Sequence, residues 1–273
     1  MRHRVVLPGG VRTSTMIDVA VEVPGERARR AWRVLLATPD LWATPLLLVV
    51  GLLVAVGTVY AGRLDSLEQR ALDPANVLGQ LSQHLVLTAY STALVLAVAV
   101  PLGLVLSRPR FVLVARAVAV VGGFAQALPA FGVLILLGFW RFGLPSAVLG
   151  LTLAAFLPVL RNTIVGLQEV DETLVEAARG MGMSAPQCLL RIEIPLAVPV
   201  IVAGVRVALV LNVGTATLAS YIGAGGLGAL IQQALLLNRL TVLVVAGSLV
   251  AALALLVDWL AGLVERAVVA RTA

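Results

Sequence analysis

Lysine is absent from this chain: all 20 basic residues among its 273 are arginine. A Walker A loop needs its lysine on the β/γ-phosphates, so that nucleotide site is excluded. Any ATP-driven work must come from another subunit. Cysteine is nearly absent as well, and the single Cys188 excludes an internal disulfide. With only His3 and His84, far apart in sequence, a zinc site has little to be built from. No His/Glu/Cys cluster and no nucleophile–base pairing stands out, so no catalytic residue, metal or cofactor is expected in this chain. Charge is scarce too, at 12% of residues, against about 25% in soluble domains. Too few polar residues remain to cover a soluble surface.

What is present is apolar: 60% of the chain, with mean hydropathy +1.03. A spanning helix needs about 20 mostly apolar residues. The charge-free runs predict six transmembrane helices, at 41–61, 85–107, 115–139, 145–166, 196–219 and 240–264. The fold expected is therefore an all-α polytopic membrane protein, with a permease region over 41–268 behind a basic arm at 1–40. The net charge of +6 belongs to arginines at the ends of apolar runs, not to a nucleic-acid surface. Their distribution puts both termini in the cytoplasm. The charged region before the first run is too long for a cleavable signal peptide. Residues 25–37 read either as a basic interfacial helix or as a short solvated arm.

One inner loop, 167–195, is unusually long and polar: "LQEVDETLVEAARGMGMSAPQCLLRIEIP". Asp171 is placed to cap a first short helix, with Glu172 at its positive end. Gly180 and Gly182 end it. Ser184 and Gln187 form a capping box for a second helix, with Pro186 in its first turn. Pro195 marks where span five begins. Ala177 and Ala178 leave one face nearly bare, which suits docking of another protein. A plain connecting loop is the alternative.

Glu176-Ala177-Ala178, then Gly182, then Ile192-Glu193-Ile194-Pro195 resemble the EAA signature of binding-protein-dependent ABC importer permeases, with Ile194 in place of the usual leucine. That resemblance implies a type I importer permease fold like the methionine permease's, in the plasma (inner) membrane of a prokaryote. It implies that Glu176, Ala177, Ala178, Arg179, Gly182 and Pro195 couple the chain to a separate ATPase subunit, which binds ATP and Mg. It also implies a second permease chain, identical or paralogous, and an extracytoplasmic solute-binding protein. Over residues 80–240, stretches such as "QALPAFGVLILLGF" and "GTATLASYIGAGGLGALI" look like the branch importing glycine betaine, choline, carnitine or related osmoprotectants. Methionine and phosphonate importers resemble it in the EAA loop and the Gly-rich segment, and an ATP-independent transporter is a further alternative.

Three sets of residues remain. Gly223, Gly225, Gly226 and Gly228 match the spacing G-x-G-x-x-G, but a dinucleotide site needs a preceding strand and an acidic residue about 20 positions on. A membrane helix precedes them, so they are expected to form an external gate or receptor contact. Gln126, Pro129 and Asn212 are polar or helix-breaking positions inside apolar spans, hence pathway candidates or interhelical packing residues. Arg206 and Asp258 lie at membrane depth, where an unpaired charge is costly, so they are expected either to pair or to snorkel separately.

Overall fold

A computed structural model describes residues 40–61 and 64–272. The basic arm with its 25–37 segment, and Arg63, lie outside the described residues. Among the described residues every regular element is helical. In chain order these are α1 (Asp40–Ala61), α2 (Ser66–Ala71), α3 (Pro74–Leu106), α4 (Val112–Ala127), α5 (Ala130–Trp140), α6 (Leu144–Gln168), α7 (Glu172–Gly180), α8 (Ala185–Cys188), α9 (Ile194–Ala216), α10 (Leu227–Leu236) and α11 (Leu240–Thr272). Four stretches are long and apolar enough to cross a membrane: Pro74–Leu106, Leu144–Gln168, Ala185–Ile222 and Leu240–Ala270. Outward faces carry Leu46, Leu47, Leu53, Phe124, Leu136 and Phe139, all well exposed. In water such a surface would be an aggregation liability; in lipid it is the expected exterior.

Four boundaries differ from the sequence reading, each for a local reason. Between the first two expected spans, residues 64–84 are largely helical. Asp65 and Glu68 close a capping box on α2, and Asp73 accepts from the amides of Ala75 and Asn76 to start α3 eleven residues early. The third span is two helices, not one. Pro129 drives Leu128 out of the helical region to ψ 136°, so α4 stops and α5 starts anew. Span five does not begin at Pro195: the chain is helical from Ala185, through a π turn at Leu189–Glu193, to Ala216. Pro195 stands where the regular helix resumes after the π turn, and the helix runs straight through it. Span six runs on to Thr272.

Helix α6 is the centre of the bundle and packs on α3, α4, α5 and α9. Small residues let the backbones approach. Gly103 of α3 faces Thr163, and Gly204 of α9 faces Asn162; a Cβ on either glycine would sit 2.6 Å from its neighbour. Helices α4 and α5 together run antiparallel to α6, with Gly122 against Leu157, Gln126 against Ala154 and Leu134 against Gly150. The break at Leu128–Pro129 therefore lies halfway along the bundle. Helix α11 packs on α1, α9 and α10. The polar island with α7 and α8 occupies one end of the bundle and the glycine segment 223–228 the other.

After α9 the chain narrows to a 3-10 turn, Thr217–Ile222, then bends back through Gly223, Gly225 and Gly226, all at positive φ. Gly228 lies directly against the Thr217 carbonyl, with no room for a Cβ. Gly214, by contrast, faces open space from within α9. Gly228→Ala is therefore expected to cost about 1–3 kcal/mol by overpacking, whereas Gly214→Ala should be neutral or stabilise by up to about 1 kcal/mol. Thermal unfolding of the two detergent-solubilised variants checks the contrast.

Candidate functional site

The polar island is built from its caps inward. The Asp171 carboxylate accepts from the Thr173 hydroxyl at 2.8 Å and the Thr173 amide at 2.9 Å, which holds it below the usual carboxylate range. Helix α7 closes at Gly182, whose φ of +89° lets its amide reach Arg179 O at 2.9 Å while the Met183 amide reaches Ala178 O. Gly180 is simply the last helical residue. Gln187 accepts from the Ser184 amide at 2.8 Å and starts α8. The bare face expected from Ala177 and Ala178 is divided. Ala178 is 1% exposed and packs inside the chain. Glu176, Ala177 and Arg179 point out, with Leu174 and Met181 exposed beside them. The outward surface is therefore a small methyl flanked by two apolar side chains and two opposite charges.

What anchors this surface was missed in the sequence. Glu193, inside the Ile192–Pro195 motif, is buried, and its carboxylate accepts from Arg108 Nη2 at 2.6 Å. Arg108 sits just past α3, at the start of the Pro109–Phe111 turn that leads into α4. The ion pair thus ties the island to the α3–α4 connection, 85 residues away in sequence. The one available signal was an acidic residue inside an otherwise apolar tetrapeptide, which requires a cation nearby.

Arg206 and Asp258 are brought together. The guanidinium donates to Asp258 Oδ1 at 2.6 Å and Oδ2 at 2.8 Å, and a third bond, 3.0 Å, goes to Glu265. Asp258 and Glu265 are two turns apart on one face of α11. Gly262 lies between them, and a Cβ there would sit 3.2 Å from the guanidinium carbon. Asn212 is not on an open path. It is fully buried and donates to Thr92 Oγ1 at 3.0 Å, holding α9 to α3. Gln126 is exposed and donates to Ala154 O at 3.3 Å. Together with Leu128 and Ala130, which flank Pro129, it lines a cavity of about 400 Å³.

At the opposite end the glycine segment is gripped by α3. Gln83 accepts from the Gly226 amide at 3.2 Å, and Gly225 abuts the same side chain. His84, fully buried, donates from Nε2 to Val213 O at 3.1 Å and stands beside Gly226. Gly226 and Gly228 are buried within the chain; Gly223 and Gly225 remain accessible.

Residues 99–270 match the family of binding-protein-dependent transport system inner membrane components. The chain belongs to this family. Among curated relatives, the carnitine transport permease protein OpuCB of Listeria monocytogenes is 41% identical over 192 residues, covering 70% of this chain and 87% of that protein. The osmoprotectant import permease protein OsmY of Salmonella typhimurium is 38% identical over 213 residues, covering 78% and 89%. The glycine betaine/carnitine/choline transport system permease protein OpuCB of Bacillus subtilis is 36% identical over 198 residues, covering 70% and 88%. An inward-facing structure of the MetNI methionine ABC transporter superposes with a TM-score of 0.62 at 24% identity, covering 70% of this chain and 95% of that one. The fold is thus that of a methionine-permease-like inner-membrane component, crossing the membrane several times.

In such a component the Arg108–Glu193 pair is a structural keystone of the polar island. Removing Arg108 leaves the buried Glu193 carboxylate without its partner, at a cost of about 1–3 kcal/mol, since Arg108 itself is only half-buried. Arg108→Met should therefore lower the thermal midpoint sharply. Arg108→Met combined with Glu193→Leu should recover most of the loss. A double-mutant cycle on the purified protein that returned no coupling would show the pair to be ornamental.

Proposed function

We propose that this chain is the permease subunit of an ATP-binding-cassette importer that moves osmoprotectants such as glycine betaine, choline or carnitine into the cell. The relatives named above support the substrate class. The observation that carries the mechanism is the polar island: an exposed short helix, rigidly anchored to two spanning helices, presenting Glu176, Ala177 and Arg179. A groove on a separate ATPase subunit would receive this helix, with Ala177 allowing close backbone approach and Leu174 and Met181 burying apolar surface. Ala178 supports the surface from within, Gly182 closes the helix at positive φ, and Pro195 stands exposed at the start of α9. ATP and Mg would bind that partner, since this chain has no ATPase site of its own.

In this reading the island end faces the cytoplasm and the glycine segment faces outward, where Gly223 and Gly225 are open to a solute-binding protein. A second permease chain, identical or paralogous, completes the pathway, since each ATPase of a pair takes one docking helix. Closure of the ATPases draws the two docking helices together. The motion enters α9 through the unbroken helix from Ala185 and enters α3 and α4 through Arg108.

Two substitutions test this coupling. Gly182→Val forces a β-branched residue to positive φ and displaces the docking surface, while Glu176→Lys reverses a charge on it. Each should lower ATP-dependent uptake by the reconstituted importer about tenfold or more, about 1.4 kcal/mol or more of coupling. Normal uptake and unchanged association with the ATPase in both variants would remove the docking assignment.

A further inference from the structure

The cavity beside Gln126 lies at a break in the helical backbone. Irregular backbone at membrane depth is tolerated only where it is buried in protein or lines a water-filled cavity. The Leu128–Pro129 break sits opposite Leu153 and Ala154, midway along α6, and opens into this space of about 400 Å³. No side chain caps the first turn of α5. A second unsatisfied group meets it from α6. Pro158 has no amide hydrogen, so the carbonyl of Ala154, four residues earlier, has no helical donor. Gln126 Nε2 takes up that carbonyl from across the cavity.

The chemistry of the walls is specific. None of the residues lining the cavity is ionised. Leu128, Val133, Leu153 and Leu211 supply apolar surface, and the polar groups are Ala154 O, the Gln126 amide and the Thr215 hydroxyl. A compact ammonium or a bare anion would lose its hydration here without a counter-charge, which is costly. A quaternary ammonium spreads its charge over methyl groups. Those methyls can lie on the leucine and valine walls and make C–H···O contacts with carbonyl oxygens. A carboxylate on the same molecule can meet the free amides of the α5 first turn, as anionic substrate groups do at half-helix ends. The volume lies within the range of about 300–1,000 Å³ of small-molecule sites. No aromatic side chain lines it, so binding is weak, as a site that must release its cargo requires.

We propose that this cavity is a transit site for small quaternary-ammonium zwitterions, and that Gln126 and Thr215 set its selectivity. The inference rests on the osmoprotectant reading above and adds to it a position inside this chain where the solute is held during passage.

The test uses the complete importer, with its ATPase and binding protein, in proteoliposomes. Initial ATP-dependent uptake of radiolabelled choline and glycine betaine is measured side by side, so that the ratio is independent of how much protein is incorporated. Gln126→Glu puts an anion at the wall and should raise the choline-to-betaine ratio about tenfold. Thr215→Val keeps shape and removes one polar group, so betaine uptake should fall about fivefold, the worth of one hydrogen bond near 1 kcal/mol. Leu153→Trp fills the space and should reduce uptake of both while binding-protein-stimulated ATP hydrolysis persists. If the wild-type importer moves neither of these nor carnitine, the osmoprotectant reading fails and the transit site with it. If it moves them, but the ratio in Gln126→Glu stays within about twofold of wild type and Leu153→Trp transports normally, the transit site alone is overturned.

Discussion

Backbone carbonyls that lose their helical donor in a water-poor interior have to be met by something else, and this requirement organises the bundle. The switch from α-helix to 3-10 after Ala216 turns the Thr217 amide toward Gly214 and frees Val213 O, which His84 meets from α3. Pro158 frees Ala154 O, which Gln126 meets from α4. Just past the end of α5 the carbonyl of Arg141 is met by Ser146 of α6. In each case the bond runs to another helix, so a local defect becomes a tertiary link. Each link also fixes a partner, because only one side chain reaches each carbonyl.

The same logic separates the rigid parts of the molecule from the yielding one. From Ala185 to Ile222 the chain is helical for 38 residues, roughly 57 Å at 1.5 Å per residue. The π turn at Leu189–Glu193 widens that rod without breaking it: the Ile194 amide still bonds, to Leu189 O. Arg108 bolts the rod to the α3–α4 connection, and Arg206 bolts it to α11 through two carboxylates. Against this frame, α4 and α5 meet at an open break, beside which Gln126 of α4 donates to Ala154 O of α6 at 3.3 Å. Movement imposed at the polar island would be transmitted by the frame and absorbed at the break, beside the cavity.

Much of this was legible in the sequence, because lipid imposes strong patterns. Membrane class, helical fold, the EAA segment and the caps at Asp171 and Ser184 follow from apolar run length and a few polar residues. Arg206 and Asp258 stood out because charge at that depth demands a partner; Glu265 did not, being close enough to the end of α11 to pass as an ordinary terminal charge. The break at Leu128–Pro129 was written as a Leu-Pro step, yet the run around it is free of charge and reads as one span. Pro195 misled in the opposite direction. The helix that begins at Ala185 runs through it after the π turn, so here it marks neither a stop nor a start. The π turn leaves no trace in residue periodicity, and the Arg108–Glu193 pair spans 85 residues that one sequence cannot connect.

The glycine segment shows most clearly how geometry decides between readings that spacing leaves open. Gly226 and Gly228 are buried, one against His84 and the other against the Thr217 carbonyl. They are needed for close approach of backbone to backbone, not for contact with anything outside the chain. Their effect is to seat α10 against the end of α9 and to tie both to α3 through Gln83 and His84. Only Gly223 and Gly225 face outward, and both hold positive φ that other residues adopt at a cost. The bend is therefore tied to both α3 and α9. Those two helices are also the ones fastened together at the opposite end by Arg108 and Glu193. The two ends of the bundle are thus held by the same two helices, joined at one end through His84 and at the other through Arg108 and Glu193.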